Sequence, residues 1–125
     1  MVDLSTEYLG LKLKNPLVPS ASPLSRSVAS ARALEDAGAA ALVMYSLFEE
    51  DLRSEAVDME RRLIDQAIAQ AAAAGMGAHD FRYRSGLDLY LEQIAALKSS
   101  LEIPVIASLN GVGMNDWVGV GRQLE

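Results

Sequence analysis

The sequence predicts an α/β fold with a parallel β-sheet that is either open or closed into a barrel. Three observations point to this class. Apolar segments of strand length alternate with helical patterns, the connections between them are tight, and 50% of the 125 residues are hydrophobic, which suits a packed core. A complete (β/α)8 barrel takes roughly 250 residues, so this chain corresponds to about half of one.

The N-terminal segment predicts a short β-hairpin followed by a strand. Residues 4–13 place apolar side chains around Gly10, the candidate turn residue. Leu17–Pro19 suits a buried strand, and the small residues Ser20–Ser22 follow it. A flat ligand has room to approach the backbone there, and the neighbouring prolines stiffen the segment.

The next residues predict a β–α–β unit. Ser25 or Ser27 can cap a helix that runs to about Ala37, and Gly38 suits the left-handed residue that ends it. Ala40–Tyr45 is apolar on both faces, which is typical of a parallel strand covered by helices.

The second half continues the alternation. A helical pattern runs from Glu49 to about Ala74, and Leu87–Ser100 forms a second amphipathic helix. Ile103–Leu109 predicts a third parallel strand, and Asn115 or Asp116 can cap a last helix.

Composition excludes several functional classes. Lys and Arg number 11 against 17 Asp and Glu, and the net charge of −6 argues against binding to nucleic acid or to an anionic membrane. The chain has no cysteine, so it has no disulfide and no thiolate metal site. We expect a cytoplasmic protein that acts on a small molecule, because no signal peptide or membrane span is apparent.

The last residues indicate a partial domain. Gly121–Glu125 lies within a helical pattern and carries no capping signal. We therefore expect residues 1–125 to form one partial domain that is truncated at its C-terminus.

Several segments together resemble a known family. Tyr8–Val18 followed by Ser20–Ser22 is similar to the opening of class 1 dihydroorotate dehydrogenases and of their dihydroorotate dehydrogenase-like bacterial relatives. Met44–Ser46 and Ile103–Gly111 resemble later strands of the same family. The resemblance implies a TIM barrel that binds FMN at the carboxyl ends of its strands and oxidises a dihydropyrimidine.

The resemblance also implies a flavin site made by Ala21, Ser22, Tyr45, Ser46 and Asn110. Four of these residues also have a structural interpretation. Ala21 and Ser22 can form the loop that starts a helix, and Tyr45 can be an aromatic residue at the edge of the core. Asn110 can belong to an Asn-Gly turn.

The sequence departs from the family at positions that matter for chemistry. Tyr45 stands where the family has a lysine, and proline replaces the glycine after Ser22. The asparagines of the family's substrate loop are missing from residues 74–84, where Arg82 and Arg84 form either a lid or a solvated loop, and where His79 is most simply a solvated side chain. The family's base, Cys or Ser, lies on a later loop, so we assign no catalytic residue or metal ligand within this chain.

These observations leave three hypotheses for function. The first is the N-terminal portion of an FMN-dependent oxidoreductase of CH–CH bonds in pyrimidine metabolism, with this fragment inactive by itself. The second is a flavin-dependent reductase of another substrate. The third is a non-catalytic half-barrel that pairs its open sheet edges with another chain or with a second copy of itself.

Overall fold

The computed structural model describes residues 2–72, 85–111 and 114–125. It shows a mixed α/β fold with a small antiparallel hairpin and a parallel sheet, consistent with part of a TIM barrel. The strands are β1 (Thr6–Tyr8), β2 (Leu11–Leu13), β3 (Leu42–Phe48) and β4 (Val105–Asn110). The helices are a 3-10 helix (Pro23–Arg26), α1 (Val28–Asp36), α2 (Glu49–Ala72), α3 (Gly86–Ser100) and α4 (Met114–Leu124).

The predicted hairpin is confirmed, and its turn has two residues. β1 and β2 pair antiparallel with Tyr8 opposite Leu11, so Leu9 and Gly10 form the turn. Both turn residues have positive φ, 51° for Leu9 and 73° for Gly10. This combination matches the twist of the flanking strands, but a leucine in the left-handed region is strained.

The parallel sheet consists of β3 and β4. Leu42 lies opposite Val105 at one end of the pair, and Phe48 lies opposite Asn110 at the other. The prediction of parallel strands is confirmed, but the boundaries differ. β3 continues past the predicted end at Tyr45, so Tyr45 and Ser46 lie inside the strand.

The predicted first strand forms hydrogen bonds beside β3 without becoming a strand. The N–H groups of Ala40 and Val43 donate to the carbonyl oxygens of Leu17 (2.9 Å) and Pro19 (3.2 Å). Pro19 has no N–H, and the Leu17 N–H donates to Asn15 Oδ1 at 2.9 Å. Leu17 and Pro19 therefore accept two hydrogen bonds from the chain around β3 and donate none to it. The described residues contain two parallel strands, where the sequence predicted three.

Asn15 holds this segment against the end of α1. Its Nδ2 donates to the carbonyl oxygen of Gly38 at 3.0 Å. Gly38 has φ of 104°, which confirms its predicted left-handed conformation. Asn15 thus links the segment before residues 17–19 to the turn that leads into β3.

The core lies between the β3–β4 sheet and the helices. Ser27 caps α1 by accepting from the Ser30 N–H, as predicted. The buried side chains on this side of the sheet are Ala31, Leu42, Met44, Leu47, Tyr90, Leu97 and Leu101. A smaller cluster on the other side contains Leu13, Ala40 and Ala41, with Val18 and Ile106 packed against it.

The start of α3 is fixed by two carboxylates. Ser85 and Asp88 form a capping box, in which each side chain accepts a hydrogen bond from the other residue's backbone N–H. Glu55 Oε2 of α2 accepts from the Gly86 N–H at 2.7 Å. These bonds attach α3 to α2, and the negative charge of Glu55 suits the N-terminus of a helix.

Two expectations about the outer helices are wrong. The predicted apolar face of α2 packs against the core at Leu52, but Met59 and Leu63 are 36% and 55% exposed. Asn115 and Asp116 lie inside α4 and do not precede it as caps. The predicted end of α2 at about Ala74 and the segment with His79, Arg82 and Arg84 lie outside the described residues. No helix within the described ranges is long and apolar enough to cross a membrane.

Replacing Leu9 with asparagine should stabilise the protein, because asparagine tolerates the left-handed conformation at this turn. Leu9 is largely exposed, so little burial is lost. We expect Leu9→Asn to raise the free energy of unfolding by about 1 kcal/mol in urea denaturation. The control Leu9→Ala removes the side chain but keeps the strain. Equal stability of the two variants would contradict this account of the turn.

Candidate functional site

The β3–β4 ladder contains a bulge next to the predicted site. Val43 lies opposite Ile106 and Ser46 lies opposite Ser108, so two residues of β3 face one residue of β4 in between. The two residues are Met44 and Tyr45. Such an extra residue bends a strand and re-aims its side chains.

The bulge changes which face of the sheet each later residue occupies. Side chains along a regular strand alternate between the two faces. Leu42 and Met44 pack in the helix-side core, yet Tyr45 packs against the same core. Ser46 instead bonds to Ser108, on the face that also carries Ile106. We call this second face, away from the helices, the open face.

Two buried hydroxyl groups satisfy the backbone at the bulge. The Tyr45 N–H donates to Ser25 Oγ at 2.6 Å. The Tyr90 hydroxyl lies 2.9 Å from the Tyr45 carbonyl oxygen and 3.2 Å from that of Ser108, so it has two acceptors for its one proton. The same hydroxyl accepts from the Ser108 N–H at 3.0 Å. Side chains outside the sheet thus replace the missing ladder bonds.

Tyr90 is fully buried on the helix side of the sheet. Burial raises the pKa of its hydroxyl above the ordinary value, while the hydrogen bond with the Ser108 backbone acts in the opposite direction. The hydroxyl therefore stays protonated at neutral pH and serves as a hydrogen-bonding group. One turn along α3, Gln93 Nε2 donates to the Ser25 carbonyl oxygen at 3.0 Å. α3 therefore contacts both β3 and the 3-10 helix.

The Tyr45 ring lies in the helix layer. Its centroid is 5.0 Å from that of Tyr90 in an edge-on arrangement, and the Arg26 guanidinium lies 4.1 Å above the ring. This placement matches the alternative of an aromatic residue at the edge of the core. Contact between Tyr45 and a flavin stays a prediction.

Ser46 and Ser108 form a pair of hydroxyl groups on the open face. Their Oγ atoms are 2.9 Å apart, and either can be the donor. One proton is used within the pair, which leaves one donor and several lone pairs for a ligand. Both serines lie in the carboxyl-terminal halves of parallel strands, toward the end where barrels of this class place their sites.

The predicted flavin loop starts the 3-10 helix. Ser22 Oγ accepts from the Leu24 N–H at 3.3 Å, and the Ser22 carbonyl oxygen accepts from Ser25 Oγ at 3.0 Å. Ala21 is exposed, and so is Asn110 at the end of β4. These contacts explain Ser22 as a local cap, and they leave the predicted flavin contacts of Ala21, Ser22 and Asn110 as predictions.

A cavity of about 400 Å³ opens on the same side of the molecule as the open face. Val18 and Val43 line it together with Ser20, Leu13 and residues of the hairpin. A second cavity of about 810 Å³ has a polar lining that includes Lys14, Arg32 and Glu35. It lies at the amino ends of the strands and contains none of the predicted site residues.

Sequence reasoning missed three residues that shape the site. Ser25 was a candidate helix cap but is a buried acceptor for β3, and Ser108 was only part of a strand. Tyr90 lies within the helix predicted at Leu87–Ser100, and no local signal indicated the partners of its hydroxyl. A tyrosine among aliphatic core positions was the available hint, because a buried hydroxyl needs a partner.

Comparison with known proteins finds a distant relative. The chain is 26% identical over its full 125 residues to the catalytic subunit of dihydroorotate dehydrogenase B (NAD(+)) of Thermoplasma acidophilum. It spans 38% of that protein's length. The match supports a distant dihydroorotate dehydrogenase-like relationship. No family model and no solved structure matches the chain.

Removing the Ser25 hydroxyl should destabilise the fold. Ser25→Ala leaves the Tyr45 N–H and the Ser22 carbonyl oxygen without this partner. We expect the free energy of unfolding to fall by about 1–3 kcal/mol, the usual cost of a buried unsatisfied group. The matched control is Ser99→Ala, an exposed serine that should change stability by less than about 0.5 kcal/mol. Equal effects of both substitutions would contradict the role of Ser25.

Proposed function

We propose that this chain is the N-terminal portion of an FMN-dependent oxidoreductase that acts on CH–CH bonds and resembles dihydroorotate dehydrogenase. The observation that carries the proposal is the match to a dihydroorotate dehydrogenase catalytic subunit along the whole chain. The parallel β3–β4 pair, with hydroxyl side chains toward its carboxyl end, supports it. We further propose a place in pyrimidine metabolism.

The residues present suit a flat heteroaromatic group. A ring needs small neighbours along its face and hydrogen-bonding groups along its edge. Ala21 is exposed and has only a methyl side chain, so the backbone beside it is accessible. The Ser46–Ser108 pair has a donor to spare, and the exposed Asn110 amide can both donate and accept.

These residues would bind and orient the flavin without performing proton transfer. Ala21 and Ser22 would contact the ring face, while Ser46 and Asn110 would bond its polar edge. FMN, when bound, accepts a hydride equivalent from the substrate. We assign no general base to this chain, so we expect it to supply one wall of the site and not turnover.

A second candidate changes the substrate and keeps the flavin. Tyr45 occupies the position where the resemblance implies a lysine, and its ring packs between Arg26 and Tyr90 in the helix layer. A positive charge at that position would stabilise negative charge on a reduced ring, and Tyr45 supplies none. This observation favours a flavin-dependent reductase of a different substrate.

FMN binding tests the proposal through the Ser46 hydroxyl. We expect FMN added to the chain to show saturable quenching of its fluorescence, with affinity about tenfold weaker in Ser46→Ala, the effect of one lost hydrogen bond. Ser99→Ala, at an exposed position in the last turn of α3, should bind as the wild type does.

The outcomes separate the candidates. Absence of saturable binding would contradict a flavin wall in this chain. If FMN binds, dihydroorotate is then added to the complete protein in the absence of oxygen, and the visible absorption of the flavin is measured. This experiment decides between the two candidates. Bleaching of the visible flavin band supports the dihydroorotate dehydrogenase-like candidate, and an unchanged spectrum supports a reductase of another substrate.

A further inference from the structure

We propose that Tyr90 is a positioning residue, whose hydroxyl holds the bulge that places the Ser46–Ser108 pair on the open face, and that this pair binds a ring carbonyl of the ligand. The ligand part of this proposal rests on the proposed function. The positioning part rests on the geometry of α3, β3 and β4 alone.

The first step is the position of the Tyr90 hydroxyl. It reaches the ladder between the strands and contacts the backbone of Tyr45 and Ser108 at 2.9–3.2 Å. A phenylalanine would fill the same volume in the core without making any of these bonds. The hydroxyl therefore has a role that packing does not explain.

The second step is the effect of the bulge on side-chain direction. Val43 and Ser46 are three residues apart, an odd spacing that puts two residues of a regular strand on opposite faces. The bulge brings both to the open face, opposite Ile106 and Ser108. If β3 kept its regular alternation through these residues, Tyr45 would share the face of Val43, and Ser46 would point to the helices.

The third step is the chemistry of the pair. Two hydroxyl groups bring two protons, and their mutual bond uses one. The remaining O–H suits an acceptor on the ligand, such as a ring carbonyl. A rigid pair loses less conformational entropy on binding than a single free serine does.

Hydrogen exchange of the Ser108 amide tests the positioning claim. In Tyr90→Phe this N–H loses its acceptor, so we expect its exchange to accelerate at least about tenfold more than that of the Leu42 amide. Leu42 donates to the Pro104 carbonyl oxygen at the other end of the same sheet, so it reports general loosening. The control Ile94→Val trims the same face of α3 and should accelerate both amides equally. Equal acceleration in Tyr90→Phe would overturn the positioning claim.

FMN affinity tests the ligand part. We expect Ser108→Ala to weaken FMN binding about as much as Ser46→Ala while leaving the exchange of the Tyr45 amide unchanged, because the bulge stays intact. Tyr90→Phe should weaken binding through the displaced pair. Wild-type affinity in Ser108→Ala would overturn the ring-carbonyl assignment. If the wild-type chain binds no FMN, the proposed function and this assignment both fail, while the exchange result still decides the role of Tyr90.

Discussion

The fold depends on the buried Tyr90 hydroxyl, which bonds to the backbone at the bulge between β3 and β4. An extra residue in β3 interrupts the ladder, and a buried backbone group without a partner costs about 1–3 kcal/mol. The Tyr90 hydroxyl from α3 donates to the Tyr45 carbonyl oxygen, and Ser25 Oγ from the 3-10 helix accepts from the Tyr45 N–H. If either side chain moved away, a backbone group of Tyr45 would lose its hydrogen-bond partner. The bulge therefore also fixes how α3 and the Ser20–Ser22 loop lie against the sheet.

The same constraint connects the core to the candidate site. On the helix side, Tyr90 packs edge-on against Tyr45, and the Arg26 guanidinium lies over the Tyr45 ring. On the open side, Ser46 meets Ser108 within hydrogen-bond distance. The bulge between Val43 and Ser46 thus lets Tyr45 face the core while Ser46 faces Ser108. The two hydroxyl groups lie on one face of the sheet, and the Tyr45 ring lies on the other.

The sequence predicted what depends on local signals. Alternation gave the hairpin and the parallel pair, Ser27 and Gly38 marked the ends of α1, and the helical pattern gave α3. It did not predict the bulge, because the hydroxyl that satisfies Tyr45 comes from a residue 45 positions later. The sequence predicted a strand at Leu17–Pro19 that does not form. Pro19 has no N–H to donate to a neighbouring strand, and the Leu17 N–H donates to Asn15 Oδ1 instead. The site prediction named Ser46, which remains a prediction, and its pairing with Ser108 could be seen only in the tertiary structure.

A double-mutant cycle tests the dependence of the hydroxyl pair on Tyr90 most directly. Unfolding free energies are measured for the wild type, Tyr90→Phe, Ser46→Ala and the double variant. If the Tyr90 hydroxyl holds Ser46 in place, the Ser46 hydroxyl has lost its bond to Ser108 in the Tyr90→Phe background. Ser46→Ala then lowers the free energy of unfolding by less in the Tyr90→Phe background than in the wild type. We expect this difference, the coupling free energy, to be at least about 0.5 kcal/mol. Additive effects within about 0.3 kcal/mol would contradict the account.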